Sequence, residues 1–228
     1  MQRLGLFIGA AVLALAAPLR AQTADAVHIA TYLEVGSAST REAVALATQY
    51  EQASRSDAGN VGVTALQEIG RPERFVVIET WTDQASFADH EKAAHTLDFR
   101  EKLSAIHRSP YDQRVNRGFA VDSLPQTAGR SAIFVVTHVD VPGARREEAE
   151  ALLKPLFAAS RIAPGRVRYD IYQQLEPRMN HFTLFAVWDS RRALDAYGGT
   201  AHSRRFREAL APMLGALYDE RLYHRMRP

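Results

Sequence analysis

The chain contains no cysteine in its 228 residues. That excludes disulfides, thiolate metal sites, iron–sulfur clusters and thiol nucleophiles. A charge excess of either sign is also missing, with 28 Lys and Arg against 26 Asp and Glu. A nucleic-acid footprint needs basic residues concentrated on one face, so nucleic acid is not an expected partner. Nor is there a long apolar run: Leu4 to Ala17 is uncharged and rich in Ala and Leu, but a spanning helix needs about 20 such residues.

The N-terminal stretch fits a different purpose. Met1-Gln2-Arg3 is a short basic start, Leu4 to Ala17 is apolar, and Pro18-Leu19-Arg20-Ala21 leads into the polar Gln22-Thr23. This is the three-part pattern of a secretory signal. Residues 1–21 are expected to be a signal peptide, and the mature protein to be periplasmic or secreted, without stable membrane insertion. Losing Arg3 and Arg20 leaves the two signs of charge equal.

What the chain does have is a repeat, the first thing to seek in a sequence of this size. A shift of 107 places Trp81 on Trp188, His95 on His202, Phe99-Arg100-Glu101 on Phe206-Arg207-Glu208, and Tyr111-Asp112-Gln113-Arg114 on Tyr218-Asp219-Glu220-Arg221. Upstream a shift of 106 pairs Thr31 with Thr137 and Gln67 with Gln173; one extra residue near Glu176-Pro177 accounts for the change. Residues 26–121 and 131–228 are thus two copies of one module, joined by a polar linker at 122–130.

Each copy reads in the same order. Val27 to Val35 and Ile133 to Val141 are β-branched and apolar, as strands require. Ser39-Thr40-Arg41-Glu42 has the form of a capping box opening a helix with Val44, Ala47 and Tyr50 on one face. The matching helix, Arg145 to Ser160, carries Pro155, which should kink or interrupt it. Val61 to Ile69 and Phe75 to Trp81 read as a hairpin, as do Arg168 to Leu175 and Phe182 to Trp188. Each Trp precedes a helix start, Thr82-Asp83 or Asp189-Ser190, followed by the stripe Phe99, Leu103, Ile106 or Phe206, Leu210, Met213. Arg114 to Val121 and Arg221 to Met226 close the modules, the latter with an exposed edge. The fold class is α+β, two ferredoxin-like β-α-β-β-α-β modules in tandem. One such sheet covers only one face with helices, so the two modules should cover each other as an intramolecular pseudo-dimer; a larger homo-oligomer is left open.

Trp81, His90, His95 and Phe99, with Phe87 between, are spaced as in the antibiotic biosynthesis monooxygenase family of dimeric α+β barrels, which the chain resembles over nearly all its mature length. The second copy keeps Trp188, Leu194, His202 and Phe206 but has Tyr197 for the first histidine. The resemblance implies an intramolecular dimeric α+β barrel and a cofactor-independent oxygenase acting with dioxygen on a small aromatic molecule of phenolic or quinol type. Haem-degrading relatives use a first-strand Asn and an axial His, and this chain has Thr31 and Thr137, and Arg100 and Arg207, at those places.

Such chemistry needs a dry pocket, aromatic walls and a group to take the phenolic proton, a role suited to histidine. The candidate catalytic residues are His95, His202, His90 and Tyr197. The candidate substrate-binding residues are Tyr32, His138, Trp81 and Trp188. Each has a structural alternative: His95 and His202 as helix-break residues, His90 as a solvent-facing helical residue, Tyr32 and His138 as core, the tryptophans as packing. Asp112, Arg114, Asp219 and Arg221 read as surface or inter-module ion pairs. No metal is expected, because His90 and His95 are five apart and do not share a helical face. The competing functions are a non-catalytic small-molecule binder and a stress-related structural barrel.

Overall fold

The structure is a computed structural model in which residues 25–122 and 128–226 are described; the expected signal peptide and most of the expected linker lie outside them. The first module runs β1 (Val27–Glu34), α1 (Thr40–Ser54), β2 (Asn60–Glu68), β3 (Arg74–Trp81), α2 (Gln84–His90), α3 (Ala94–Ser104) and β4 (Asp112–Ala120). The second repeats it as β5 (Ile133–Asp140), α4 (Arg146–Ser160), β6 (Arg166–Gln174), β7 (His181–Trp188), α5 (Arg191–Gly198), α6 (Ala201–Leu210) and β8 (Asp219–Arg225). The second helix of the ferredoxin-like unit is therefore split in two in both copies. The extra residue of the second copy sits in the β6–β7 turn, as the repeat register requires. No helix among the described residues is long and apolar enough to cross a membrane.

The eight strands close into one barrel in the order β1-β3-β2-β8-β5-β7-β6-β4. Each module supplies four adjacent antiparallel strands. Two seams join them, β2 to β8 through Leu66–Glu68 against Tyr223–Arg225, and β4 to β6 around Asn116–Ala120. Alternation along the strands then sorts the side chains. One set points into the barrel: Ala30, Tyr32, Leu66, Val76 and Ile78 meet Phe134, Val136, Tyr172, Phe185 and Tyr223. The other set faces the helices and builds a separate core in each module, around Tyr50, Val77, Phe99 and Leu103 in one and Leu153, Leu184, Trp188 and Phe206 in the other. The modules thus meet edge to edge as well as face to face.

Several expectations are corrected. β8 has no exposed edge, since it pairs with both β2 and β5. Pro155 does not interrupt its helix, which runs continuously from Arg146 to Ser160. The capping box does not form: Ser37–Ser39 is a 3-10 turn, the Ser39 side chain makes no cap bond, and the Thr40 hydroxyl donates to the Ser37 carbonyl. Asp122, read as linker, is buried. Its Oδ2 accepts from Arg166 Nη1 at 2.7 Å and from the Tyr169 N–H at 2.9 Å. The helix starts after the tryptophans do form, capped by the Asp83 and Ser190 side chains.

Gly59 and Gly165 set the turn from the first helix of each module into its second strand. Both have positive φ, 80° and 74°. A Cβ at Gly59 would lie 2.2 Å from Ser86 Oγ, and one at Gly165 would lie 2.4 Å from Ala193 Cβ. Each glycine therefore lets the turn press against the capped helix start that follows the tryptophan. Gly59→Ala and Gly165→Ala should each cost on the order of 2–3 kcal/mol, combining the left-handed backbone penalty with a steric clash. Denaturant unfolding measures this, and a loss below about 1 kcal/mol would show that the turn is free to relax.

Candidate functional site

The space between sheet and helices is used differently in the two copies. In the first module the part beneath Trp81 is filled by a buried polar chain, and a cavity of about 340 Å³ opens only beyond it, beside Glu91, Arg100, Tyr111 and Gln113. The Tyr50 hydroxyl on α1 donates to Glu79 Oε1 on β3 at 2.6 Å and lies 2.7 Å from His90 Nε2. His90 Nδ1 is 2.7 Å from Asp57 Oδ2, and His95 Nε2 is 3.2 Å from the same oxygen. The indole N–H of Trp81 points at Glu79 Oε2 from 3.5 Å, and the indole stacks on the His90 ring at a centroid distance of 4.4 Å. Burial pushes the Glu79 carboxyl up to about 7 against the bonds from Tyr50 and Trp81 that hold it down. Burial lowers His90 and raises the Tyr50 phenol.

His90 is thus not a solvent-facing helical residue, being only 2% exposed. The five-residue spacing to His95 is not a separation either. α2 ends at His90 and α3 starts at Ala94, and the break turns the two rings toward each other with centroids 5.5 Å apart. No single helix contains both residues, so helical-face spacing does not hold the two rings apart.

In the second module the same place is hollow. Leu156 stands where the first copy has Tyr50, Ala186 where it has Glu79, Ala163 for Asp57, and Gly198 for Glu91. These truncations leave a cavity of about 270 Å³ walled by Leu156, Leu184, Trp188 and Phe206, with Tyr169, Tyr197, Tyr218, Arg207 and Glu220 as its polar lining. The Tyr197 hydroxyl is held 2.6 Å from Ser160 Oγ and 3.4 Å from Tyr169 Oη. Burial raises the phenols of Tyr169, Tyr197 and Tyr218. Of the expected residues, Tyr197 and Trp188 line this cavity. His202 does not; it lies against Tyr197 with ring centroids 5.3 Å apart and contacts Thr200 Oγ1 at 3.2 Å.

Tyr32 and His138 point into the barrel and meet edge to face at 5.1 Å. They line a mouth of about 500 Å³ together with Arg74, Arg114, Arg221 and Tyr223. Arg114 Nη1 reaches His138 Nδ1 across the module boundary at 3.1 Å and pairs with Asp112 at 2.8 Å in its own strand. The Tyr32 hydroxyl is buried and has no hydrogen-bond partner among the described residues. Deeper in the barrel His28 stacks on Tyr172 at 4.3 Å and bonds to Thr80 Oγ1 at 3.1 Å.

The residues missed in the sequence were Glu79, Asp57, Tyr169, Arg207 and Glu220. Glu79 carried a signal: a carboxylate two residues before Trp81, in an apolar strand and on the face the tryptophan shares. Comparing the copies would have found Asp57, because Tyr50 against Leu156, Glu79 against Ala186 and Asp57 against Ala163 are positions where a polar set becomes an apolar one; Arg207 matches Arg100 and gives no such contrast.

The fold and its two sub-helical sites define a tandem dimeric α+β barrel. Residues 26–102 and 132–209 each match the antibiotic biosynthesis monooxygenase family, and the chain belongs to that family. Among curated proteins it is similar to "Putative monooxygenase YcnE" of Bacillus subtilis, 28% identical over 81 residues that make up 36% of this chain and 85% of that one. It is also similar to "Uncharacterized protein sll1783" of Synechocystis, 31% identical over 91 residues, 40% of this chain. That match spans 61% of the Synechocystis protein's length. Among solved structures, a monooxygenase-described protein from Fusobacterium nucleatum superposes with a TM-score of 0.79 at 14% identity, covering 90% of this chain and 94% of the other. One from Lactobacillus acidophilus superposes at 0.72 and 16% identity, covering 89% and 95%. At these identities they establish the two-module fold alone.

The barrel interior yields a pH prediction. Burial, aided by neighbouring arginines, holds His28 down to about 3 and His138 down to about 4. Both lie below the unfolded value of 6.5, so the unfolded chain takes up a proton at each as pH falls below about 6.5 while the folded chain does not. Stability is full above that pH and is lost as pH falls toward 4 and then 3. The second copy has Phe134 and Val187 where the first has His28 and Thr80. The double exchange His28→Phe with Thr80→Val should therefore reduce the stability lost between about pH 7 and about pH 4.5 by roughly 2–3 kcal/mol. Denaturant melts at the two pH values check this; an unchanged pH dependence would show that His28 protonates in the fold.

Proposed function

We propose that the chain is an exported, cofactor-independent monooxygenase-like enzyme that oxidises a small phenolic or quinol-type molecule with dioxygen, in the cavity of the second module. The observation that carries this reading is the hollowing of one copy of a duplicated site. Leu156 and Ala186 replace two buried polar residues and leave a space of about 270 Å³ beneath Trp188. A packed interior retains few voids of that size without a use. Family membership and the likeness to YcnE, described as a monooxygenase, support the reaction class.

The lining suits the chemistry in named roles. Trp188 and Phe206 give the ring its apolar walls. Glu220 offers a carboxylate to accept the phenolic proton, and Arg207 a guanidinium to hold the phenolate. Tyr197, whose proton goes to Ser160, presents its hydroxyl oxygen as an acceptor for a substrate hydroxyl. The electron-rich phenolate is then itself the reductant of dioxygen, and the protein's part is to exclude water and fix the ring. His202 acts by holding Tyr197 in place. Export rests on the first 21 residues, and N-terminal sequencing of protein from the periplasmic fraction or the medium should give a mature chain that starts close to Gln22.

Oxygen uptake with a panel of hydroquinones and phenols tests the activity. The expected result is turnover above autoxidation, lost in Glu220→Gln and in the cavity-filling Ala186→Phe, and kept in His95→Ala. If turnover never exceeds autoxidation, the enzyme reading fails. Ligand-dependent thermal stabilisation that Ala186→Phe abolishes would then identify a non-catalytic binder.

A further inference from the structure

We propose that Asp57, His90 and His95 form a binding site for one divalent cation of the borderline class, such as zinc, cobalt, nickel or iron(II), in the first module. Asp57 Oδ2, His90 Nδ1 and His95 Nε2 all lie within 4.8 Å of one another. The two nitrogens stand 2.7 and 3.2 Å from the same carboxylate oxygen. Ligands bound at about 2.0–2.2 Å are separated by roughly 3 Å in octahedral and somewhat more in tetrahedral geometry, so the three atoms need only small adjustments to share an ion. Two imidazoles and a carboxylate are a donor set for this class of metal rather than for calcium or magnesium.

A second observation supports the site. His95 Nε2 is shielded from solvent and has no hydrogen-bond partner among the described residues, although Asp57 Oδ2 lies 3.2 Å away. His90 Nδ1 approaches the same oxygen at 2.7 Å, so both ring nitrogens converge on one carboxylate oxygen as ligands of a single ion do.

The surroundings are those of a metal site. A ligating histidine is commonly oriented through its other nitrogen by an outer partner, and here Tyr50 backed by Glu79 has that place. Trp81 stacked on the His90 ring fixes its plane. The side chains of Asp57 and His95 are 21% and 26% exposed, which gives an ion a route in. The second copy has Ala163, Tyr197 and His202 at the three positions and cannot form the site. The helix break converts a five-residue spacing into a ligand pair.

The test uses the untagged mature chain, stripped with a chelator and titrated separately with Co²⁺ and Zn²⁺ by calorimetry, with visible absorption reporting the cobalt geometry. The expected result is one equivalent bound per chain, with cobalt bands that indicate nitrogen and oxygen ligands. Asp57→Asn and His95→Ala should each lose that binding while melting in chelator like the parent, and His202→Ala should keep it. Absence of binding by either metal, a stoichiometry of two, or retention of binding in both Asp57→Asn and His95→Ala would overturn the proposal. A loss of binding in His202→Ala equal to that in His95→Ala would do the same. The readout is metal binding alone, so it stands or falls apart from the oxygen-uptake test.

Discussion

Closure of the barrel is the constraint on which the rest depends. A four-stranded ferredoxin-like sheet has one face under helices, one bare apolar face and two strand edges. Each of these is costly in water, the face through exposed apolar area and the edges through unpaired backbone groups. Here each half offers the other both remedies. β2 and β8 pair along one seam and β4 and β6 along the other, while Tyr32, Ile78, Phe134 and Phe185 share the space inside. Because edges and faces are matched together, the strand register decides which residues enter the barrel and which go under the helices.

Covalent linkage of the halves has a further consequence. In a homodimer of identical modules, a change that hollows one sub-helical site hollows both. In a tandem chain the copies diverge freely, provided the seams and the barrel interior stay complementary. The divergence falls where that freedom exists. Trp81 and Trp188, Phe99 and Phe206, and the two turn glycines are kept, and all of them hold sheet to helix. Tyr50, Glu79, Asp57 and His90 in one copy face Leu156, Ala186, Ala163 and Tyr197 in the other, and all of these lie in the space the frame encloses. The inside of the barrel diverges in compensated pairs, His28 with Thr80 against Phe134 with Val187.

The frame was legible because it repeats. Strands, helix starts and the α+β order follow from β-branched runs, capping residues and apolar stripes, and the second copy confirms each element of the first. Local signals misled where tertiary packing overrode them. The Ser-x-x-Glu pattern gave way to a 3-10 turn. Pro155 sits in an unbroken helix. Arg221 to Met226, charged enough to suit an open edge, belongs to a strand that pairs with β5 on one side and β2 on the other, because the partner edge is Leu66–Glu68, far earlier in the chain. The site was less legible for a related reason. His90 and His95 were visible as residues, but Asp57, Glu79 and Tyr50 reach them from a turn, a strand and another helix.

The break between α2 and α3 best shows how geometry makes chemistry from spacing. In one continuous helix, residues five apart point well away from each other. Ending one helix at His90 and starting the next at Ala94 turns the chain, so both rings look back at the end of α1. Thr96, buried at the start of α3, sits 3.4 Å from the His90 ring and closes the corner. The same break in the second module brings Tyr197 and His202 together, but there Ala163 offers no carboxylate and Ser160 takes the tyrosine hydroxyl instead. One backbone device thus presents two side chains to one spot in each copy. That spot differs between the copies because the first carries Asp57, Tyr50 and Glu79 around it, whereas the second has Ala163, Leu156 and Ala186 and is hollow.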